Sequence, residues 1–395
     1  MKKTVLLFGL AVAALLTACS DDDDSNMIEV QTDNIVIVDN ITENTTWSAD
    51  KVYQLGGRIA VEAGATLTIE PGTVIKGEAG TGSNATALVV ARGGMIDAVG
   101  TAVLPIIFTS VADEISPEQV ATGNFVSPNL EPTVNGLWGG VIILGNAPIS
   151  ASNDSDADIS EVQIEGIPTS DTNGLYGGSD AADNSGKFQY VSIRHGGTNI
   201  GSGNEINGLS LGGVGTGTTI SNIEIVSNQD DGIEWFGGSV NVSNVVVWNV
   251  GDDGIDTDQA WTGTLDNFVV ITPAGHAFEL DGPEGTAEGT HNITNGTIIA
   301  SVDADTKCKD LINTDANSMV NLSNLFFTEV IDQKINSNSV SAAAVTLANI
   351  YIDVDAANLA DHVDGTVPAS VMAGTTETTN EAVLSWTWAS QAGKF

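Results

Sequence analysis

Positive charge is what this chain has least of. Twelve lysines and arginines face 51 aspartates and glutamates, a formal net charge of −39. Nucleic acid and anionic lipid headgroups attract proteins through positive charge, so a deficit this large argues against both as partners. Cysteine is nearly absent: Cys19 and Cys308 are the only two. Once the first is committed elsewhere, no intrachain disulfide is expected. Four histidines (His195, His276, His291 and His362) show no paired ligand spacing, which speaks against transition-metal chemistry. Helical periodicity is missing too. What remains is 42% apolar residues, enough for a large core, punctuated by 44 glycines.

The first 18 residues, MKKTVLLFGLAVAALLTA, carry two lysines, an apolar stretch and small residues. That is the make-up of a secretory signal, too short and wrongly flanked for a membrane span. The ending LTAC resembles a bacterial lipobox, which implies cleavage before Cys19 and attachment of that cysteine to outer-membrane lipid. The SDDDDSN that follows resembles the surface-export signal of Bacteroidetes-type lipoproteins, which implies a location on the outer membrane facing the exterior. An acidic run of this kind also serves as a self-repelling, flexible tether.

Internal similarity governs the rest. SNIEI, SNVVV, DNFVV, TNGTI, SNLFF and ANIYI share a polar-Asn-apolar pattern, with asparagines at 222, 244, 267, 295, 324 and 349. The spacings of 22, 23, 28, 29 and 25 are those of one repeat per coil with loops of varying length. Asparagine tolerates the left-handed conformation that such a turn needs. Short strands at this period predict an all-β fold, a right-handed parallel β-helix, with the asparagines stacked in a hydrogen-bonded ladder. The expected layout is a cap over 27–50, coils over 51–360 with loop insertions near 111–135 and 150–186, and a C-terminal cap or flap over 361–395.

Aligning the repeats brings acidic residues into columns. QDDGIEWF, GDDGIDTD and GHAFELD fall into line, preceded by EINGLSL. One column holds Asp231, Asp253 and His276 below Asn207; the next holds Glu234, Asp256 and Glu279 below Ser210. Asp258 and Asp281 form a third, with Phe236 above, while Asp310, Asn313 and Asp315 extend the set. Residues two apart in a strand share a face, so Ile233, Ile255 and Phe278 should point inward. Carboxylates stacked about 4.8 Å apart repel by a few kcal/mol at an effective dielectric near 20, so they must bind cations, hold protons or stay solvated. Asp252, Asp253, Asp256, Asp258, Glu279 and Asp281 offer enough oxygens for Ca²⁺, the one cofactor implied. Trp235 and Trp261 lie near the patch and are candidates for stacking on sugars.

Two resemblances bear on function. The order DDG, GDD, GHA and KCK resembles that of β-helical polygalacturonases. It implies acid and base roles for Asp231, Asp252 and Asp253, support from His276, and substrate-carboxylate binding by Lys307 and Lys309. Gln229 and Asp230 depart from the family's first motif, GHA from its GHG, and the KCK stretch lacks its arginine. A Ca²⁺-dependent lyase would instead need a base, for which Arg194 in SIRHGG stands out. More of the chain is covered by TLTIEPGTVIKG, GLWGGVIILGNAP, IRHGGTNIG, NEINGLSLGGVG and DDGIEWFGG. Together with the lipobox these resemble a family of uncharacterised β-helical surface lipoproteins of Bacteroidetes, related to a leptospiral outer-membrane lipoprotein family. The leading expectation is a non-catalytic surface lipoprotein whose acidic face binds a glycan or cations. Polysaccharide cleavage comes second and a structural or adhesin role third; an outer-membrane protein complex is a further candidate partner.

Overall fold

The computed structural model describes residues 34–200 and 206–395. The secretory signal, Cys19 and the acidic run lie outside them. Two long parallel sheets, of fifteen and eight strands among the described residues, wind around one shared core as a parallel β-helix.

Coils begin earlier than the sequence suggested. Asn34–Ile37 pairs in parallel with Val52–Leu55, and Thr45–Trp47 with Thr66–Ile69. Part of the stretch expected to be a cap is therefore a coil itself. From Gly186–Arg194 onward the strands of the longer sheet run through a kink. The residue at the kink is Tyr190, then Asn222, Asn244, Asn267, Asn295, Asn324 and Asn349, each at φ between 51° and 60°. Asparagine recurs because its short amide tolerates this left-handed conformation and then bonds its neighbour across the stack.

The Nδ2 of Asn244 donates to Asn222 at 3.2 Å, Asn267 to Asn244 at 2.8 Å, Asn324 to Asn295 at 3.1 Å and Asn349 to Asn324 at 3.0 Å. The ladder breaks once. Asn295 donates to Asp266 instead, and the Oδ1 of Asn267 accepts from the backbone of Asn380.

Alternation fills the interior from both sheets. On the shorter one, Leu209, Ile233, Ile255 and Phe278 stack in register, as do Leu211, Trp235, Thr257 and Leu280. All eight are buried, and truncating a core aromatic such as Phe278 costs about 3–5 kcal/mol.

Two insertions clothe the outside. Residues 111–140 carry a short helix, Pro117–Ala121, and pack Ile115, Val120 and Phe125 onto Val74 and Ile107. Residues 145–185 form two small antiparallel ladders and cover the outer face of the shorter sheet's early strands, where Ile164, Ile167 and Tyr176 meet Ile142, Leu144 and Phe236.

The C-terminal segment runs back over earlier coils. Val371–Ala373 still pairs with the preceding strand, after which the chain turns back along the outer face of the longer sheet. Thr378 bonds the carbonyls of Gly296 and Asn324, Thr379 that of Phe268, and the Ala389 N–H donates to Glu224. Gln391 reaches Gly123 and Phe125 of the first insertion. The strap follows the apolar strip already present on that face, Val226, Val246, Trp248, Val269 and Ile271, onto which Leu384 and Trp388 pack.

Candidate functional site

Where the second insertion ends, the outer face of the shorter sheet turns acidic. Cross-strand pairing sets Ser210, Glu234, Asp256, Glu279 and Asn313 in one column and Gly212, Phe236 and Asp258 in another. Asp281 follows at the end of its strand, its N–H donating to the Thr257 carbonyl at 2.8 Å. The preceding turns supply the remaining column. Gly208, Gly232, Gly254 and Ala277 donate to the carbonyls of Asp231, Asp253, His276 and Asp310, so these four residues succeed one another coil by coil.

The turn acids also tie the coils together. The Asp253 N–H donates to Asp231 Oδ1 at 2.8 Å, and the His276 N–H donates to Asp253 Oδ1. A glycine must precede His276, because a Cβ at Gly275 would sit 2.3 Å from carboxylate oxygens of both Asp252 and Asp253.

Three groups bring potential ligand atoms within 4.8 Å of one another: Asp231, Glu234 and Asp256; Asp253, His276 and Glu279; and Asp230, Asp231 and Asp252. The oxygen set expected from the sequence is thus divided. Asp256 belongs to the first group, Asp253 and Glu279 to the second and Asp252 to the third, while Asp258 and Asp281 stand beside them. Asn207 closes the top of the first group: its Nδ2 bonds Glu234, and its Oδ1 is buried without a hydrogen-bond partner.

Crowding and burial together shift the acids. Burial, reinforced by neighbouring carboxylates, holds Asp231, Glu234 and Asp256 well above the ordinary carboxylate range. Burial with the charges of Asp281 and Glu284 moves Asp258 up to about 7, and burial with Asp315 moves Asp281 to about 6. Glu279 rises to about 9, first because it shares a proton with Asp253 and then because it is half-buried. Asp253 goes the other way. Burial pushes it up, but hydrogen bonds from His276 and Glu279 outweigh that and hold it below its usual value.

Several sequence candidates fall outside this site. Trp235 and Trp261 are 0% exposed and stack on each other in the core, rings 4.6 Å apart, so they present nothing to a sugar. Alternation explains it: both follow an outward acid by an odd number of positions or sit past the strand's end, where the indole turns in. Lys307 is occupied by Asp332, and exposed Lys309 acts electrostatically on Asp310. Arg194 is 1% exposed, paired with Glu224 at 3.5 Å and lying under Trp388, so it is no base for a substrate. Among the described residues no lysine or arginine ion pair engages Glu234, Asp256, Asp258, Glu279 or Asp281; the nearest, Lys334 with Asp364, acts on Asp310 at the end of the turn column.

An insertion in this solenoid was expected to build the binding face, but not which of its residues would line the site. Glu165, in the second insertion, adds its charge to Glu234 and Asp258, and Tyr176 bonds Gln259, which in turn bonds Glu284. Nothing periodic marks an insertion, so no repeat could have pointed to it. The links from Asn313 to His276 Nε2 at 2.8 Å and from Asn336 to Asn313 at 2.6 Å were equally hidden, since a variable loop separates their coils.

A family model described as "Pectate-lyase like beta helix domain" matches residues 39–391, nearly the whole described chain. The chain belongs to that family. No curated protein matches it in sequence.

Proposed function

Starting from a pectate-lyase-like β-helix, we propose that this protein is a surface lipoprotein, anchored to the outer membrane through Cys19, whose acidic face binds a polysaccharide through Ca²⁺ without cleaving it. The observation that carries the reading is the group Asp231, Glu234 and Asp256. Their oxygens lie within 4.8 Å of one another, the span that one Ca²⁺ bridges at about 2.3–2.6 Å per bond. Asn207 supplies a buried amide beside them. An ion held here keeps coordination positions for ligand hydroxyls or carboxylates, and it relieves the repulsion that would otherwise keep an acidic sugar away.

The same closeness disfavours the inverting hydrolysis that the polygalacturonase resemblance implies. Inverting hydrolysis places its two carboxyls about 6.5–9.5 Å apart to admit a water, and the clustered acids leave less room. A lyase would need a basic group, and Arg194 is sealed under the strap.

The test is to pass the purified full chain over immobilised neutral and acidic polysaccharides with Ca²⁺ or chelator, and to assay eluates for products. Retention that requires Ca²⁺ and disappears in Asp256→Asn is expected. New reducing ends or unsaturated products would replace this reading with an enzymatic one, and retention unaffected by chelator would remove Ca²⁺ from it.

A further inference from the structure

The histidine spacing in the sequence argued against a transition metal, yet stacking of the coils makes an arrangement that no single loop contains. We propose that Asp253, His276 and Glu279 form a second metal site, for a first-row divalent transition ion such as Zn²⁺, distinct from the all-oxygen group above it.

Geometry is the first support. His276 Nδ1 lies 3.1 Å from Asp253 Oδ1 and 3.8 Å from Glu279 Oε1. Ligands about 2.0–2.1 Å from a tetrahedral Zn²⁺ are separated by about 3.3 Å, so both distances bracket the edge of such a site. Calcium, with longer bonds and six to eight oxygens, has no comparable use for a single imidazole nitrogen.

The second support is independent of the acids. The His276 side chain is only 6% exposed, and its Nδ1 points between the two carboxylates, 3.1 Å from Asp253 but without a well-aligned hydrogen bond. Buried polar atoms in folded proteins are almost always well bonded, and a buried nitrogen held close to two carboxylates without a linear hydrogen bond to either is placed as a metal ligand would be. Around it the supports of a metal site are present. The His276 backbone N–H fixes Asp253, and Gly275 leaves room for that carboxylate. Asp310 Oδ2 stands 3.7 Å from Nε2, on the far side of the ring. Glu279, its side chain 36% exposed, gives an ion a way in from solvent.

Asn313 makes the arrangement conditional. Its amide orientation is locked: Asn336 caps the helix Ser337–Ser341 by accepting from Ser339, so the Asn336 Nδ2 must donate to Asn313 Oδ1. Asn313 Nδ2 therefore donates to His276 Nε2, which leaves the ring proton of the neutral, metal-free histidine on Nδ1. Loading the ion at Nδ1 moves that proton to Nε2, where Asp310 becomes its acceptor, as carboxylates do for metal-bound imidazoles. The donor from Asn313 opposes this exchange, so removing it should favour the metal.

The experiment titrates Zn²⁺, and Co²⁺ as its visible reporter, into chelator-stripped full chain saturated with Ca²⁺. One ion per chain is expected, with a Co²⁺ d–d band of nitrogen-containing, low-coordinate character. His276→Gln should weaken Zn²⁺ by more than about tenfold and leave the Ca²⁺-dependent melting shift intact. Asp256→Asn should do the reverse, and Asn313→Ala should tighten Zn²⁺ severalfold. If His276→Gln does not fold, Glu279→Gln, altering a partly exposed side chain, serves in its place. Absence of a Zn²⁺ isotherm over Ca²⁺, or undiminished binding by His276→Gln or its substitute, overturns the proposal. Polysaccharide retention plays no part in this readout, so the two readings fail separately.

Discussion

Asp258 offers a direct measure of how much free energy the acidic face stores. Its carboxyl is lifted from 3.8 in a free chain to about 7 by burial and by Asp281 and Glu284. A carboxyl raised on folding stabilises the protein fully below its unfolded value, and that contribution is lost as pH rises through the folded one. Between about pH 4 and pH 7 the folded chain therefore holds a proton that the unfolded chain has released. A lift of about three units corresponds to about 4 kcal/mol at 1.36 kcal/mol per unit. Because the side chain is partly exposed, screening leaves about half of that, some 2 kcal/mol. Asp258→Asn keeps the shape and removes the charge. The variant should be about 2 kcal/mol more stable than the parent at pH 8.5 in chelator, and indistinguishable from it at pH 4. For a chain of this length, unfolding entropy near 2.1 cal/mol/K per residue converts that to about 2.4 °C in melting temperature. Melts of both proteins across that pH range, by calorimetry or circular dichroism, read the difference. A gain that persists at pH 4, or a loss at pH 8.5, would refute the account of a repelled, protonated column.

Two further substitutions probe the scaffold. Asn244→Ala removes two ladder bonds and forces alanine into φ near 60°, so a loss of about 2–3 kcal/mol is expected. Asn244→Gly should lose less because the conformation is free, and equal losses in denaturant titrations would show that the ladder rather than the turn dominates. Trp388→Ala should cost about 3–5 kcal/mol and leave the C-terminal segment open to protease, since its indole covers Trp248 and Arg194. A variant that is cleaved no faster would mean the strap is held by its backbone contacts alone.

How much of this was legible beforehand depends on whether a feature repeats. Asn222, Asn244 and Asn267 announce the coils because each coil needs the same left-handed residue at the same place. The register of Glu234, Asp256 and Glu279 followed from aligning those turns, and pairing in the structure reproduces it residue for residue. Features that occur once carry no such signal. The insertion wall with Glu165, the return of the C-terminal chain and the amide relay through Asn336 are each built from contacts more than twenty residues apart. The tryptophans were misread for a different reason: Trp235 sits next to an outward acid, and adjacency in a strand means the opposite face.

In a stack of coils each layer touches only the layers above and below, so disorder at an end can spread inward one turn at a time. The C-terminal strap changes that connectivity. By bonding Asn324, Gly296, Phe268 and Glu224 in succession and then reaching Phe125, it lays one piece of chain across five successive coils and the first insertion. It runs like a spine along a row of plates. Residues 384–391 cannot stay docked unless the middle of the helix is intact, and the middle is not sealed until they dock. Cooperative unfolding as one unit, and completion of folding only after the strap has docked, are built into that single return path.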